Sequence, residues 1–260
     1  MTPSGSNQNQ GLKRVSVIGV PITATNMTEC LAYLKENIEQ ARGEYICVSN
    51  AHTCVMAHDD PAYWKVQADS LMSVPDGKPL SIVGKREVPS MDRVTGPDLM
   101  REIFALSSEK GWSHYFYGNE QGNLGLLRVS LEKTYPELTI AGMEPSVFRP
   151  LSKDEKEELA ERVNSSGADF LWVGLGAPRQ EVLCHELKGR TSSVMIGVGG
   201  AFNILAGAVP EAPPWMQNIS LEWLYRLMQE PRRLFKRYLI TNTKFLIYQF
   251  AGVKRRRGDE

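Results

Sequence analysis

A chain of 260 residues and 29.1 kDa accommodates one large domain, or one domain with an appendage, and falls short of two full domains. With 42% hydrophobic and 23% charged residues, its composition excludes intrinsic disorder, a collagen-like repeat and a small disulfide scaffold. The 30 basic and 30 acidic residues cancel to a formal charge of zero, so no whole-chain field for nucleic acid is expected, although the charges are unevenly distributed.

The opening MTPSGSNQNQG is polar and lacks the charged-then-apolar order of a signal peptide, so residues 1–12 are expected to form a disordered leader. An ordered domain is expected over 13–210. It starts with VSVIGV as a strand from Val15, a helix from about Asn26 to Ala41, the strand YICVSN, helical stretches through Asp69, and the strand LMSVPDG. A helix from about Pro97 to Lys110, the strand SHYFYG, a helix to about Tyr135 and the strand LTIAGM follow. A helix from Lys153 to Ser165, the strand DFLWVGLG, a helix after Pro178 and the strand SVMIGVGGAF complete the alternation. This rhythm predicts an α/β, Rossmann-like fold: a mostly parallel sheet with helices on both faces. After Pro210 the rhythm stops, and residues 211–260 are expected to form a C-terminal helical appendage, with segments of about Trp215–Gln229 and Arg232–Phe250.

Ligands of such sheets gather at the carboxyl ends of the strands. Five strand-end loops are marked here, SNAHT, PDGKP, YGNEQGN, GLGAPRQE and GVGGAFN, and they are expected to converge on one rim. Asp76 follows an apolar strand and precedes Gly77, a place for a general base that a ligand can approach; Asp-Gly is equally a plain turn signal. Asn50 and His52 end the second predicted strand, where an amide and an imidazole can bond a sugar or base edge, or cap the next helix. GAPRQE puts Pro178 in the first turn of a helix whose preceding N–H groups favour an anion, with Arg179 and Gln180 at the entrance or merely solvated. RVTGPDL sets Arg93 ahead of Thr95, Gly96 and Pro97, a second helix opening able to hold phosphate, with Asp98 complementing the dipole.

Other chemistries find less support. The glycines of YGNEQGNLG do not match G-x-G-x-x-G, and GVGGAFN lacks the G-K-[ST] ending of a P-loop, which disfavours dinucleotide binding and ATP hydrolysis. The histidines at 52, 58, 114 and 185 are scattered and no H-E-x-x-H occurs, so no metal site and no cofactor are expected. Asp59 and Asp60 precede Pro61 and read as a helix start. Cys30, Cys47, Cys54 and Cys184 form no C-x-x-C pair and read as buried, reduced thiols.

The end of the chain is a cation. Between Arg226 and Arg257 lie ten basic residues and one acid, a balance of +9 against −7 for the preceding 225 residues. Apolar residues recur beside them as Leu234, Phe235, Tyr238, Leu239, Phe245, Leu246 and Phe250, which predicts an amphipathic basic helix. Core packing would explain the stripe alone. With the charge added, and about 1 kcal/mol for each cation near an anionic bilayer, a membrane surface is the favoured partner. No apolar run reaches the roughly 18 to 20 residues of a membrane span, so a cytoplasmic protein, peripheral on the membrane, is expected.

Together, PDGKPL, RVTGPDLM, GLGAPRQE, GVGGAFNILAG and APPWMQNISLEWLYRLMQEPRRLFKRYL resemble the WecG/TagA/CpsF family of bacterial glycosyltransferases from about Val15 to Phe250. The resemblance implies inverting, metal-independent transfer of a sugar from a UDP donor to a sugar on a polyprenyl diphosphate, at the inner face of the cell membrane. It implies Asp76 as the base, with Asn50 and Gln180 lining the donor pocket beside His52, Gly77, Arg93, Thr95, Arg179 and Asn203. Arg226, Arg232, Arg233, Lys236 and Arg237 fall on positions that face the lipid diphosphate or membrane. Val48 and Asn203 stand where many members carry threonine and aspartate, which bears on the donor sugar, N-acetylmannosamine, its uronate or glucose in the resembling branches. The CVSNAH and DGKP spellings lean towards exopolysaccharide assembly rather than wall teichoic acid. FNILAG and the sheet edges are candidate contacts of a homo-oligomer. The rival readings are another nucleotide-dependent enzyme, a dehydrogenase or methyltransferase, and a non-enzymatic binder of anionic surfaces.

Overall fold

The computed structural model describes residues 12–213, 215–216 and 221–251; the predicted leader before residue 12 and the tail cations Lys254, Arg255, Arg256 and Arg257 lie outside the described residues. VSVIGV is not one strand. It folds back as an antiparallel hairpin of β1 (Arg14–Val17) and β2 (Val20–Thr23), with Ile18 at φ 47° and Gly19 at φ 81° supplying the two left-handed positions of a tight two-residue turn. Val15, Val17, Val20 and Ile22 are all buried, so the apolar pattern runs through the reversal, and an isoleucine in the left-handed region gives no turn signal.

The α/β core then proceeds through α1 (Met27–Ala41), β3 (Tyr45–Ser49), α2 (Ala51–Asp59), α3 (Pro61–Ala68), β4 (Met72–Pro75), α4 (Lys78–Gly84) and α5 (Gly96–Lys110). It continues with β5 (Ser113–Gly118), α6 (Gln121–Thr134), β6 (Thr139–Glu144), α7 (Lys153–Ser166), β7 (Phe170–Gly174), α8 (Arg179–Leu187), β8 (Val194–Gly197) and α9 (Ala201–Leu205). Helix starts carry their side-chain caps: Asn26 accepts from the Glu29 N–H at 3.0 Å, and Ser152 with Glu155 forms a reciprocal capping box. The short α4 and α9 carry no sequence signal of their own, since seven and five residues hold too little of a 3.6-residue period to read, and Ala201 and Phe202, expected in the last strand, belong to α9.

Six strands pair in the order β4-β3-β8-β7-β5-β6, all parallel, as expected of an α/β Rossmann-like sheet. Every residue of β3, β4 and β8 is buried, because helices cover both sides. Cys47, Leu171, Val173 and Met195 face α2, α3, α7 and α8, whereas Ile46, Val48, Trp172 and Ile196 face α1, α5, α6 and α9. The hairpin borders the β4 edge, where the Ser73 N–H donates to Thr23 Oγ1 at 2.9 Å. All four cysteines are free and buried, and removal from water pushes the Cys30 thiol up to about 12. His114 is likewise a core residue: Trp172 Nε1–H donates to its Nδ1 at 3.1 Å, Ser107 Oγ meets its other nitrogen at 2.8 Å, and burial lowers its pKa to about 3.

Beyond the sheet come α10 (Glu222–Gln229), which begins later than the predicted Trp215–Gln229 segment because Leu221 is not helical, and α11 (Pro231–Phe250), which matches its predicted span closely. Helix α11 lies along α2 and has two sides. Leu234, Thr241 and Phe245 are buried, while Phe235, Leu239, Leu246 and Phe250 are exposed.

Candidate active site

Because all six strands run the same way, their carboxyl ends share one rim. Chains leave β3 and β8, which are neighbours, towards opposite faces, which makes the ends of these two strands, at Asn50 and after Gly197, the topological switch point where ligands of such sheets gather. Asp76 sits one strand further out, at the end of β4, tied down by its N–H donating to the Ser49 carbonyl at 2.7 Å. The Asp-Gly pair is not a plain turn. Gly77 has an extended backbone at φ −124° and serves as the N-cap of α4, and a Cβ there would meet Pro79 and Asn50 only at ordinary contact distances.

Of the two readings of Asn50, the structure realises the cap. Its Oδ1 accepts from the N–H groups of His52 and Thr53 at 3.0 and 3.2 Å and starts α2, while its Nδ2 points the other way and approaches Asp76 Oδ2 at 3.4 Å. Beneath this pair lies a buried polar floor that pins the ends of β3 and β4. Ser49 and Ser73 hydroxyls donate to Gln67 Oε1 at 2.7 and 3.0 Å, and Gln67 Nε2 donates to the Tyr63 oxygen at 3.0 Å.

Helix α10 supplies the fourth side. Glu222 pairs with Arg93 at 2.6 Å, and Arg226, one helical turn later, is the strongest favourable charge acting on Asp76. Desolvation dominates nonetheless: it raises the Asp76 pKa to about 7, with Arg226 pulling down, Glu222 pushing up, and Asn50 and Arg93 pulling down in that order. Sequence reasoning missed Glu222, although its four-residue spacing from Arg226 was there to be read. It placed Arg226 towards the lipid, and here the same side chain bears on the carboxylate.

The other candidates divide. Thr95 caps α5, its hydroxyl donating to Asp98 Oδ2 at 2.6 Å, and Gly96 lets that helix start approach the Val198 carbonyl, where a Cβ would stand 3.3 Å away. Gln180 is 4% exposed and both ends of its amide are engaged, Oε1 by the Gly176 N–H at 3.0 Å and Nε2 by Glu181 at 2.8 Å, so it shapes the loop from within. Glu181, which drew no notice in the sequence, is fully buried and its pKa rises to about 7 through desolvation. Arg179 folds back on the Leu175 carbonyl at 3.0 Å. Asn203 Oδ1 accepts from Asn119 Nδ2 at 2.5 Å, joining the β8 and β5 ends of the rim. His52 Nδ1 meets Thr241 Oγ1 of α11 at 3.1 Å, and burial, with the Arg237 charge, lowers the imidazole pKa from its ordinary value.

Arg232 and Lys236 are exposed on α11, the side chain of Arg233 lies outside the described residues, and the Arg237 guanidinium stands 5.2 Å from the Tyr238 ring centre. Asp60 caps α3 as expected, and Asp59 reaches across to α11. Among the described residues no three His, Cys, Asp or Glu gather as a metal would require, and no helix is long and apolar enough to cross a membrane.

A partly open strand-end carboxylate with a pKa near neutrality, under the charges of Arg226 on α10 and Arg93 ahead of α5, can take a proton from a neutral nucleophile while negative charge develops beside it. One family model, described as Glycosyl transferase WecG/TagA/CpsF family, matches residues 15–259 of the chain.

Proposed function

The chain belongs to the WecG/TagA/CpsF family of glycosyltransferases, and from that premise we propose that Asp76 is the general base of an inverting, metal-independent transfer from a UDP-sugar to a sugar on a polyprenyl diphosphate. The Asp76 carboxylate removes the proton of the acceptor hydroxyl as its oxygen bonds the anomeric carbon. On the opposite face the bond from that carbon to the diphosphate breaks, and UDP takes the electron pair. Arg226 and Arg93 offset the charge that builds on the diphosphate, and preorganised donors of this kind contribute roughly 2.7–4 kcal/mol each by analogy with oxyanion holes. Asn50 Nδ2 orients the carboxylate without competing for its proton. Arg232, Arg233, Lys236 and Arg237 serve the lipid diphosphate and an anionic membrane surface, and the polymer is an exopolysaccharide of the cell envelope.

The observation that carries this reading is the setting of Asp76: a strand-end carboxylate, raised to about pKa 7 by desolvation yet in the field of Arg226 and Arg93. Asp76→Asn keeps size and hydrogen bonding and removes the base. It should cut product formation from a UDP-sugar panel and a short-chain lipid-diphosphate acceptor by about 100-fold or more, while UDP still raises the melting temperature. Wild-type turnover by the variant would end the assignment.

A further inference from the structure

Helix α2 touches two places. Its first turn begins at Asn50, whose amide meets Asp76, and its last residue, Asp59, holds α11: Lys244 Nζ donates to Asp59 Oδ2 and the Tyr248 hydroxyl to Oδ1, both at 2.6 Å. The Tyr248 ring also stacks on His58, with centroids 3.9 Å apart and planes 20° apart. Nine helical residues, about 13 Å of rod, therefore separate the reacting centre from this contact.

At its other end α11 meets α10, where Tyr238 packs edge-on against Trp223 at 6.1 Å. Trp223 lies between Glu222, which holds Arg93, and Arg226, which acts on Asp76. The path from Asp59 through α11 to α10 thus returns to the carboxylate from which α2 set out. Asp59 and Lys244 keep 35% and 43% of their side-chain surface, and a pair so exposed adds little to stability. Two donors and a stacked ring converging on one helix end do, however, fix where α11 sits along α2.

The geometry points to Asp59 as a positioning residue, a latch that sets α10 so that Arg226 stands against Asp76. This rests on the assignment of Asp76 and Arg226 to the reacting centre. Its structural part is tested without substrate. In Asp59→Ala, amide hydrogen exchange across 222–229 of the full-length protein should rise about tenfold while α6 exchanges as before; unchanged exchange in α10 would overturn the latch. Should that variant not fold, Lys244→Met with Tyr248→Phe removes the same contacts from the other side.

The catalytic part uses a UDP-sugar on which wild type turns over. Asp59→Ala should lower kcat about tenfold and leave the donor KM within twofold, since displacement of a positioned group acts on the chemical step. Combined with Arg226→Gln, it should cost nothing beyond Arg226→Gln alone. Additive losses would overturn the coupling. If wild type turns over no UDP-sugar, the proposed function fails while the exchange measurement still decides the latch.

Discussion

Asp76 ionises against the preference of its surroundings, and the sign of that conflict has two consequences. Its pKa is about 7 in the folded protein against an ordinary value of about 3.9 when the chain is unfolded. Between those values the folded state keeps a proton that the unfolded state has lost, so this residue's contribution to stability declines as pH rises from about 4 to about 7 and stays low above. Asp76→Asn should accordingly melt higher than wild type at pH 8, by about 2–4 °C for each kcal/mol recovered, with the gain gone near pH 4; an equal gain at both pH values would contradict the burial. The base is charged only above its pKa, so kcat/KM should fall through an acid limb near pH 7. Its neighbours move that limb in opposite directions. Glu222→Gln removes a repelling charge and should shift it to lower pH, and Arg226→Gln removes an attracting one and should shift it up. The position of Asp76 was legible because a buried strand followed by Asp-Gly leaves few other places for an acid. Its charge state was not, since Glu222 and Arg226 arrive from about 150 residues away in sequence.

Individual elements were readable wherever a local rule decides them. Asn26, Thr95 and Ser152 cap helices by their own side chains, and the uninterrupted apolar runs of β3, β7 and β8 announce strands covered on both faces. The hairpin escaped because Ile18 adopts a backbone that its side chain disfavours, and the surrounding valines continue the pattern on both sides of the turn. Glycines show the same limit, since the letter does not say which of them the backbone requires. Gly118 is required: its φ is +125°, and an added Cβ would lie 2.7 Å from the Gly174 backbone in the adjacent strand. Gly118→Ala should therefore cost about 1–3 kcal/mol in urea unfolding. Gly77 has room, so Gly77→Ala should leave stability within about 0.5 kcal/mol and report, through donor KM, only on what approaches the β4 end.

At the scale of the whole molecule, α11 bears on a choice that composition left open, since one apolar stripe was asked to serve either the core or a membrane. The helix carries two apolar rows, one buried and one exposed. Leu234, Thr241 and Phe245 turn inward, and Phe235, Leu239, Leu246 and Phe250 remain in water at 60, 58, 54 and 75% exposure. An outward row of that size beside Arg232 and Lys236 has the composition of an interfacial helix, in which apolar burial and attraction to anionic headgroups act together. Phe235 and Leu239 are one turn apart on this exposed row. Phe235→Glu with Leu239→Glu should then abolish sedimentation with anionic vesicles at low salt, leave the melting temperature within about 1 °C, and leave turnover on a soluble short-chain acceptor intact. Arg232→Gln with Lys236→Gln should instead weaken vesicle binding by roughly 2 kcal/mol, most visibly at low ionic strength, because only the electrostatic part is screened. If both pairs bind vesicles like wild type, the outward face of α11 is not the membrane surface, and the cations of the appendage belong wholly to the diphosphates at the rim.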